Sequence, residues 1–136
     1  MTITQLSVFL DNTRGSLYEA AKILGENNID IRALSLADTS SYGVLRIIVS
    51  DSDKAYTALK ENGFTVSKNR VIGIAIDDSP GGLEKPLRIL NDEGFAVEYT
   101  YAFIGKSNVK NNRKRIANNS AAMPVCNSSK SFISLL

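Results

Sequence analysis

The chain has 136 residues, a formal net charge of +2, no histidine and one cysteine. That length accommodates one domain or two very small ones. The lack of histidine removes the commonest general base and zinc ligand, and the lone Cys126 excludes an intramolecular disulfide or a multi-cysteine metal site, so neither cofactor nor metal is expected.

Residues 3–10 read as a strand. Leu6, Val8 and Leu10 alternate with Ser7 and Phe9, so both faces are largely apolar and a central place in a sheet is expected. Asp11-Asn12-Thr13 is turn chemistry. Leu17, Ala20, Ala21 and Leu24 then fall at i, i+3, i+4 and i+7, the apolar stripe of a helix. Two residues compete to cap it. Ser16 with Glu19 spells a capping box, whereas the later Ser79-Pro80 points by alignment to Thr13, which is preferred.

Asn27-Asn28 ends the helix, and residues 30–37 form a second strand. Thr39-Ser40-Ser41 turns the chain, and residues 42–49 are a β-branched third strand. Asp51 caps a second helix with Ala55, Ala58 and Leu59 facing inward and Gly63 just past its end. Residues 65–67 give a short fourth strand. The order is βαββαβ. Right-handed crossovers make this an α+β module, a four-stranded antiparallel sheet in the order 4-1-3-2 with both helices on one face.

The pattern then repeats at a spacing of 66 residues, from Asp11 to Asp77. Asp11-Asn12-Thr13-Arg14-Gly15-Ser16-Leu17 aligns with Asp77-Asp78-Ser79-Pro80-Gly81-Gly82-Leu83, and Lys22-Ile23-Leu24 aligns with Arg88-Ile89-Leu90. Residues 71–76 are the first strand of the second copy. Leu83, Leu87 and Leu90 mark its helix, which Pro86 is expected to bend and weaken. Residues 96–105 are its second strand, with Val97, Tyr99, Tyr101 and Phe103 on one face.

After residue 107 the repeat stops. All 14 acids lie at or before Glu98, and residues 1–108 hold 11 bases, so that body is acidic. Beyond it come Lys110, Arg113, Lys114, Arg115 and Lys130 without an acid, in an Asn- and Ser-rich context. Such a break is what an ending read out of frame produces, with a disordered basic arm as the alternative. The expected organisation is therefore a complete module over 1–68, a partial second module over 69–107, and an atypical basic tail over 108–136. In the second copy no strand is expected between residues 71–76 and 96–103, which leaves unpaired edges.

The βαββαβ order, the loop and the duplication together resemble ACT domains, ferredoxin-like modules that sense small molecules. The family loop is a polar residue, any residue, Pro, Gly, any residue, Leu. Asp78-Ser79-Pro80-Gly81-Gly82-Leu83 matches it in full, and Asn12-Thr13-Arg14-Gly15-Ser16-Leu17 matches except for Arg14. The stretches Ile31-Arg32-Ala33-Leu34-Ser35-Leu36-Ala37-Asp38 and Val97-Glu98-Tyr99-Thr100-Tyr101-Ala102-Phe103 are similar to stand-alone tandem ACT proteins in particular.

The resemblance implies amino-acid binding and regulation without catalysis. It assigns ligand contacts to Asn12, Thr13, Arg14, Gly15, Ser16, Leu17 and Asp30 in the first copy. In the second it assigns them to Asp78, Ser79, Pro80, Gly81, Gly82 and Leu83. The physics suits a carboxylate: a glycine at a helix start permits close approach to free N–H groups and the positive dipole end. Asp30 or Asp78 offers a partner for an ammonium group. Each also has a plain structural role, because Asn12 and Asp78 are common turn residues and Asp30 stands at a strand start.

The same resemblance implies side-by-side association, so a homodimer is expected. Ser16 and Ser79 have no base partner, and Asp77-Asp78 reads as capping acids rather than an acid–base pair. An RNA-recognition module shares the βαββαβ order and is echoed in Tyr42-Gly43-Val44-Leu45-Arg46-Ile47. Val44 and Arg46 stand where it would need stacking aromatics, so nucleic acid is not an expected partner. A structural oligomerisation module without ligand is the other alternative. No apolar run spans a membrane and residues 1–5 lack a signal pattern, so the cytoplasm is the expected location and no membrane partner is foreseen.

Overall fold

The structure, a computed structural model, describes residues 1–38, 42–76, 79–104 and 130–135. Its contacts divide the chain into two compact units, Met1–Ile72 and Gly73–Leu136.

The first unit carries β1 (Thr2–Asp11), α1 (Ser16–Glu26), β2 (Ile31–Asp38), β3 (Tyr42–Val49), α2 (Ser52–Glu61) and the larger part of β4 (Thr65–Ile76). The strand order is β2-β3-β1-β4, each neighbouring pair antiparallel. This is the expected 4-1-3-2 order. Leu6, Val8 and Leu10 of β1, with Leu45 and Ile47 of β3, face Ala20, Ile23 and Leu24 of α1 and Ala55, Ala58 and Leu59 of α2. Small Ala residues let the helices approach the sheet, and each fully buried Leu or Ile contributes about 1.5–3 kcal/mol.

The other face of β1 departs from expectation. It is polar where it was read as apolar. Gln5 and Ser7 are buried, and Gln5 Nε2 donates to Ser7 Oγ at 3.3 Å. Ser7 Oγ and Ser67 Oγ each donate to Asn69 Oδ1 at 3.1 Å. Buried polar groups are tolerable when bonded in this way, and the network ties β1 to β4.

Helix ends follow local chemistry. The Asp51 side chain accepts from Asp53 N (3.2 Å) and Lys54 N (3.0 Å), as an N-cap should. At the end of α1, Asn28 is left-handed (φ 56) and Ile29 N donates to Leu24 O at 2.9 Å. At the end of α2, Gly63 is left-handed (φ 87) and Phe64 N donates to Leu59 O at 3.0 Å. Both are Schellman terminations. Neither expected cap of α1 forms: its N-cap is Gly15, which has no side chain to offer.

Strand β4 corrects a further expectation. The short fourth strand and the first strand of the second copy are one continuous strand. Lys68-Asn69-Arg70 contains no turn signal and pairs with Leu6, Gln5 and Thr4.

The second unit carries the end of β4, α3 (Glu84–Asp92), β5 (Tyr99–Ile104) and β6 (Lys130–Leu135). The order is β4-β6-β5, with β6 antiparallel to β5 from Tyr99↔Leu135 to Ile104↔Lys130. The expectation of an empty place beside the second copy's second strand is therefore corrected. The alternating Ser131-Phe132-Ile133-Ser134-Leu135 supplies the missing strand. Strand β5 also starts later than expected, at Tyr99.

Helix α3 starts at Glu84, not after Ser79. Residues 79–83 form turns instead, with Gly82 N donating to Ser79 O (2.9 Å) and Glu84 N to Gly81 O (3.0 Å). This overturns the expected Ser79 cap. It also removes the expected penalty at Pro86, the third helical residue, because N–H groups in the first turn have no intrahelical acceptor to lose.

Candidate functional site

The first loop is built by its glycine. Strand β1 ends at Asp11 and α1 begins at Ser16, so residues 12–15 must turn the chain onto the sheet. Gly15 does so at φ 99, a left-handed conformation costly for a side-chain-bearing residue. A Cβ there would meet nothing within 4 Å, so the constraint is in the backbone alone. Gly81, its partner at the 66-residue spacing, is also left-handed, at φ 82. The two copies share the left-handed glycine and the turn bond across it, from Ser16 N to Thr13 O (3.4 Å) and from Gly82 N to Ser79 O (2.9 Å), and differ in where the helix starts.

Inside the loop, Thr13 Oγ1 and Ser16 Oγ lie 2.8 Å apart, and Ser16 Oγ donates to Thr13 O at 3.2 Å. These hydroxyls brace the loop and do not cap the helix. Gly15 O accepts from Glu19 N at 2.9 Å, so the helix is established at its first turn. Its first-turn amides receive no side-chain cap.

Two cavities flank this loop. One, of about 440 Å³, is lined by Asp11, Thr13, Arg14, Gly15, Ser16 and Glu19 on the loop side. Phe9, Leu10, Tyr42, Asn62, Gly63, Phe64 and Thr65 complete its lining. The other, of about 500 Å³, is lined by Leu10, Asp11, Asn12, Thr13, Ser16, Leu17, Leu36 and Gly43. Gly43 keeps the second cavity open: a Cβ there would lie 3.4 Å from Leu36 Cδ1 and 3.8 Å from Asn12 Oδ1.

Topology explains why residues from three strands share this lining. Thr65 pairs with Phe9 and Tyr42 with Asp11, so the starts of β4 and β3 lie at the end of the sheet where β1 stops. The Phe9 and Tyr42 rings sit 5.8 Å apart at 54°, a tilted pair. Both are exposed, and Phe64 is half-buried against the core. Sequence reasoning missed Phe9, Tyr42, Asn62, Gly63 and Phe64 as site residues. The 4-1-3-2 order contained the signal, since it puts the turn before the fourth strand beside the loop after the first.

The expected site residues are thus not all together. Asn12, Thr13, Arg14, Gly15, Ser16 and Leu17 line one cavity or the other. Asp30 does not join them. It precedes β2, which runs parallel to β1, so it stands at the opposite end of the sheet, roughly 25 Å away by strand rise. There its N–H donates to Ser50 Oγ at 3.0 Å. In the second copy Ser79, Pro80 and Gly81 are exposed, Gly82 and Leu83 half-buried, and Asp78 lies outside the described residues.

The family model described as an ACT domain pair matches residues 1–129. This chain belongs to that family. ACT domains are commonly amino-acid-binding regulatory domains, and the first unit carries the βαββαβ order. Among solved structures, protein BT0572 from Bacteroides thetaiotaomicron is 36% identical with a TM-score of 0.77, covering 98% of this chain and 78% of that one. The ligand-free regulatory subunit of aspartate kinase from Thermus thermophilus shares the ACT fold at 12% identity and a TM-score of 0.57, covering 96% and 80%. No protein of curated function matches the chain. Among the described residues there is no cluster of potential metal ligands and no helix long and apolar enough to cross a membrane.

Proposed function

We propose that this ACT domain pair is a non-catalytic cytoplasmic sensor that binds a free amino acid at the loop Asn12-Thr13-Arg14-Gly15-Ser16-Leu17. One observation carries the reading. The left-handed Gly15 leaves the first-turn amides of α1 uncapped between two cavities of ligand size. Residues 1–68 are the sensing module. Residues 69–107 are its partial copy, with Asp78, Ser79, Pro80, Gly81, Gly82 and Leu83 as a second and weaker loop. Residues 108–136 remain compositionally distinct from both.

A homodimer fits the first module. Strand β2 lies at the edge of its sheet, and Leu34 and Leu36 are 59% and 49% exposed there. An apolar edge strand of this kind favours pairing with a second copy. Asp30 can reach a loop-bound ligand only from such a copy. Sedimentation of Leu34→Lys/Leu36→Lys is expected to show monomer where the parent is dimeric; a parent that stays monomeric at high concentration ends the idea.

Thermal shift against the twenty amino acids tests the sensor. A ligand at 100 times its dissociation constant stabilises by about 2.7 kcal/mol. The expected result is a rise in midpoint for one or a few amino acids that Gly15→Val abolishes. A flat response to all twenty removes the reading.

A further inference from the structure

The strands at the two ends of the sheet order are related by the 66-residue repeat and differ in what they offer. Strand β2 ends the order in the first unit and β5 in the second. On β2, Leu34 stands opposite Ile47 and Leu36 opposite Leu45, so both lie on the face that carries the core, yet both are exposed. At the same spacing β5 has Thr100 and Ala102. Large apolar side chains on an edge invite pairing with another chain, and small or polar ones discourage it, so the invitation is confined to the first edge. The ladder to β3 shifts between Ile31 and Ala33 and runs regularly from Ala33 to Asp38. Within that regular stretch, Ala33-Leu34-Ser35-Leu36-Ala37 reads the same in both directions. Residues of opposite charge, Arg32 and Asp38, flank it. The matching segment of the second copy, Glu98-Tyr99-Thr100-Tyr101-Ala102-Phe103-Ile104, has neither property.

We propose that β2 pairs antiparallel with β2 of a second copy of this chain, about a two-fold axis through Ser35. The inference rests on the homodimer proposed above and fixes its register. In a contact of this symmetry residue i meets j and j meets i. An antiparallel strand with the same sequence read in both directions is therefore its own complement. A centre at Ser35 sets Leu34 against Leu36 of the second copy, Ala33 against Ala37 and Arg32 against Asp38. Opposed residues of antiparallel strands lie about 4.5–5.5 Å apart. The leucines of both copies then form one apolar cluster on the helix side of a joint sheet, and unlike charges close each end. Neighbouring registers lose this match. A centre at Leu34 sets Leu36 against Arg32, and a centre at Leu36 sets Leu34 against Asp38, each an apolar residue against a charged one. The pairing also bears on the loop site. Leu36 lines the second cavity, so Leu34 of the second copy stands across from that wall. Because the strands are antiparallel, Asp30 of the second copy comes to the end of the sheet where Asp38 pairs with Gly43, beside the same cavity.

Cysteine cross-linking of the full chain, with Cys126→Ser as the common background, tests the register. Ser35→Cys is expected to link to itself as a dimer on oxidation with copper phenanthroline, because a disulfide spans roughly 4.4–6.8 Å between Cα atoms. Ala33→Cys and Ala37→Cys each fall about 13 Å from their own counterparts, so neither is expected to link alone. An equimolar mixture of the two is expected to link. Leu34→Thr/Leu36→Ala gives this edge the residues of the other and is expected to weaken dimerisation in sedimentation by about tenfold or more. Self-linking of Ala33→Cys or Ala37→Cys overturns the register. A dimer that links at none of these positions, or that is indifferent to the leucine replacement, moves the contact away from β2 while the homodimer stands. A parent chain that stays monomeric at high concentration removes the homodimer, and this register with it.

Discussion

The two copies end their helices in the same way and pack them differently. After α1, α2 and α3 the chain turns through a left-handed residue, Asn28, Gly63 or Gly94. The next residue then donates back to the helix: Ile29 to Leu24, Phe64 to Leu59 and Phe95 to Leu90. In this motif that residue is usually apolar and lands on the helix it has just left. Ile29 is 6% exposed and Phe64 is packed on the core, whereas Phe95 is 54% exposed. The local code is thus complete in both copies, and tertiary partners decide whether it leads to burial.

The helix before Phe95 behaves as Phe95 does. It has a pronounced apolar stripe, yet Leu83, Leu87 and Leu90 are only half-buried and Ile89 is exposed. Within residues 79–102, Pro86 alone is buried. In the first unit two helices share the sheet and touch each other. In the second, α3 is the one helix among the described residues.

The most severe way to test this contrast is to cut the same side chain from both. Leu59 is fully buried between α2 and the sheet, and Leu90, half-buried, holds the same acceptor position at the end of α3. Leu59→Ala is expected to lower unfolding stability by about 2–5 kcal/mol, and Leu90→Ala by about 1 kcal/mol or less. Urea denaturation of both variants gives the comparison directly. Equal losses would mean that α3 buries as much apolar surface as α2.

A smaller effect separates a capping side chain from a bracing one. The Asp51 carboxylate accepts two first-turn N–H bonds, so Asp51→Ala is expected to cost about 1 kcal/mol. Ser16 looks like a cap in the sequence but spends its hydroxyl on Thr13. Ser16→Ala is therefore expected to change stability by under about 0.5 kcal/mol. Chemical denaturation of both variants checks the pair, and a loss at Ser16 as large as at Asp51 would reinstate the capping box.

How far the sequence could be read follows from the same distinction. Strand and helix identities in the first module were legible because periodicity reports directly on burial: Leu6, Val8 and Leu10, or Ala55, Ala58 and Leu59, are both the pattern and the core. The loop glycines were legible because φ above zero restricts residue choice. Starts and joins were less so. The onset of α3 moved from Pro80 to Glu84 because turns through Gly81 and Gly82 replaced a Ser79 cap, a choice settled by hydrogen bonds a few residues long. The continuity of β4 was hidden because the polar Lys68-Asn69-Arg70 interrupts the apolar pattern and is held in the strand by its pairing with β1. Half of the first cavity was invisible for a simpler reason. Phe9, Tyr42 and Phe64 are far apart in sequence, and only the sheet order makes them neighbours.

The smallest expected effect concerns the basic tail, where the contrast is one of charge. Fourteen acids against 11 bases make residues 1–108 net negative, while Lys110, Arg113, Lys114, Arg115 and Lys130 follow without an acid. A surface that repels phosphate joined to a segment that attracts it should bind RNA weakly and without sequence preference. Counterion release then makes that binding steeply salt-dependent. The βαββαβ fold by itself adds little: on β1 and β3 the face away from the helices carries Gln5, Ser7, Val44 and Arg46, with Phe9 and Tyr42 confined to one end. Replacing Lys110, Arg113, Lys114 and Arg115 by Gln together is expected to abolish binding of single-stranded RNA at 50 mM salt. Lys130 is kept because it begins β6. A filter-binding or anisotropy titration reads the result. Tight, sequence-selective binding that survives the fourfold replacement would transfer the activity to the sheet, and Phe9 and Tyr42 would then have to be read as a base-stacking platform.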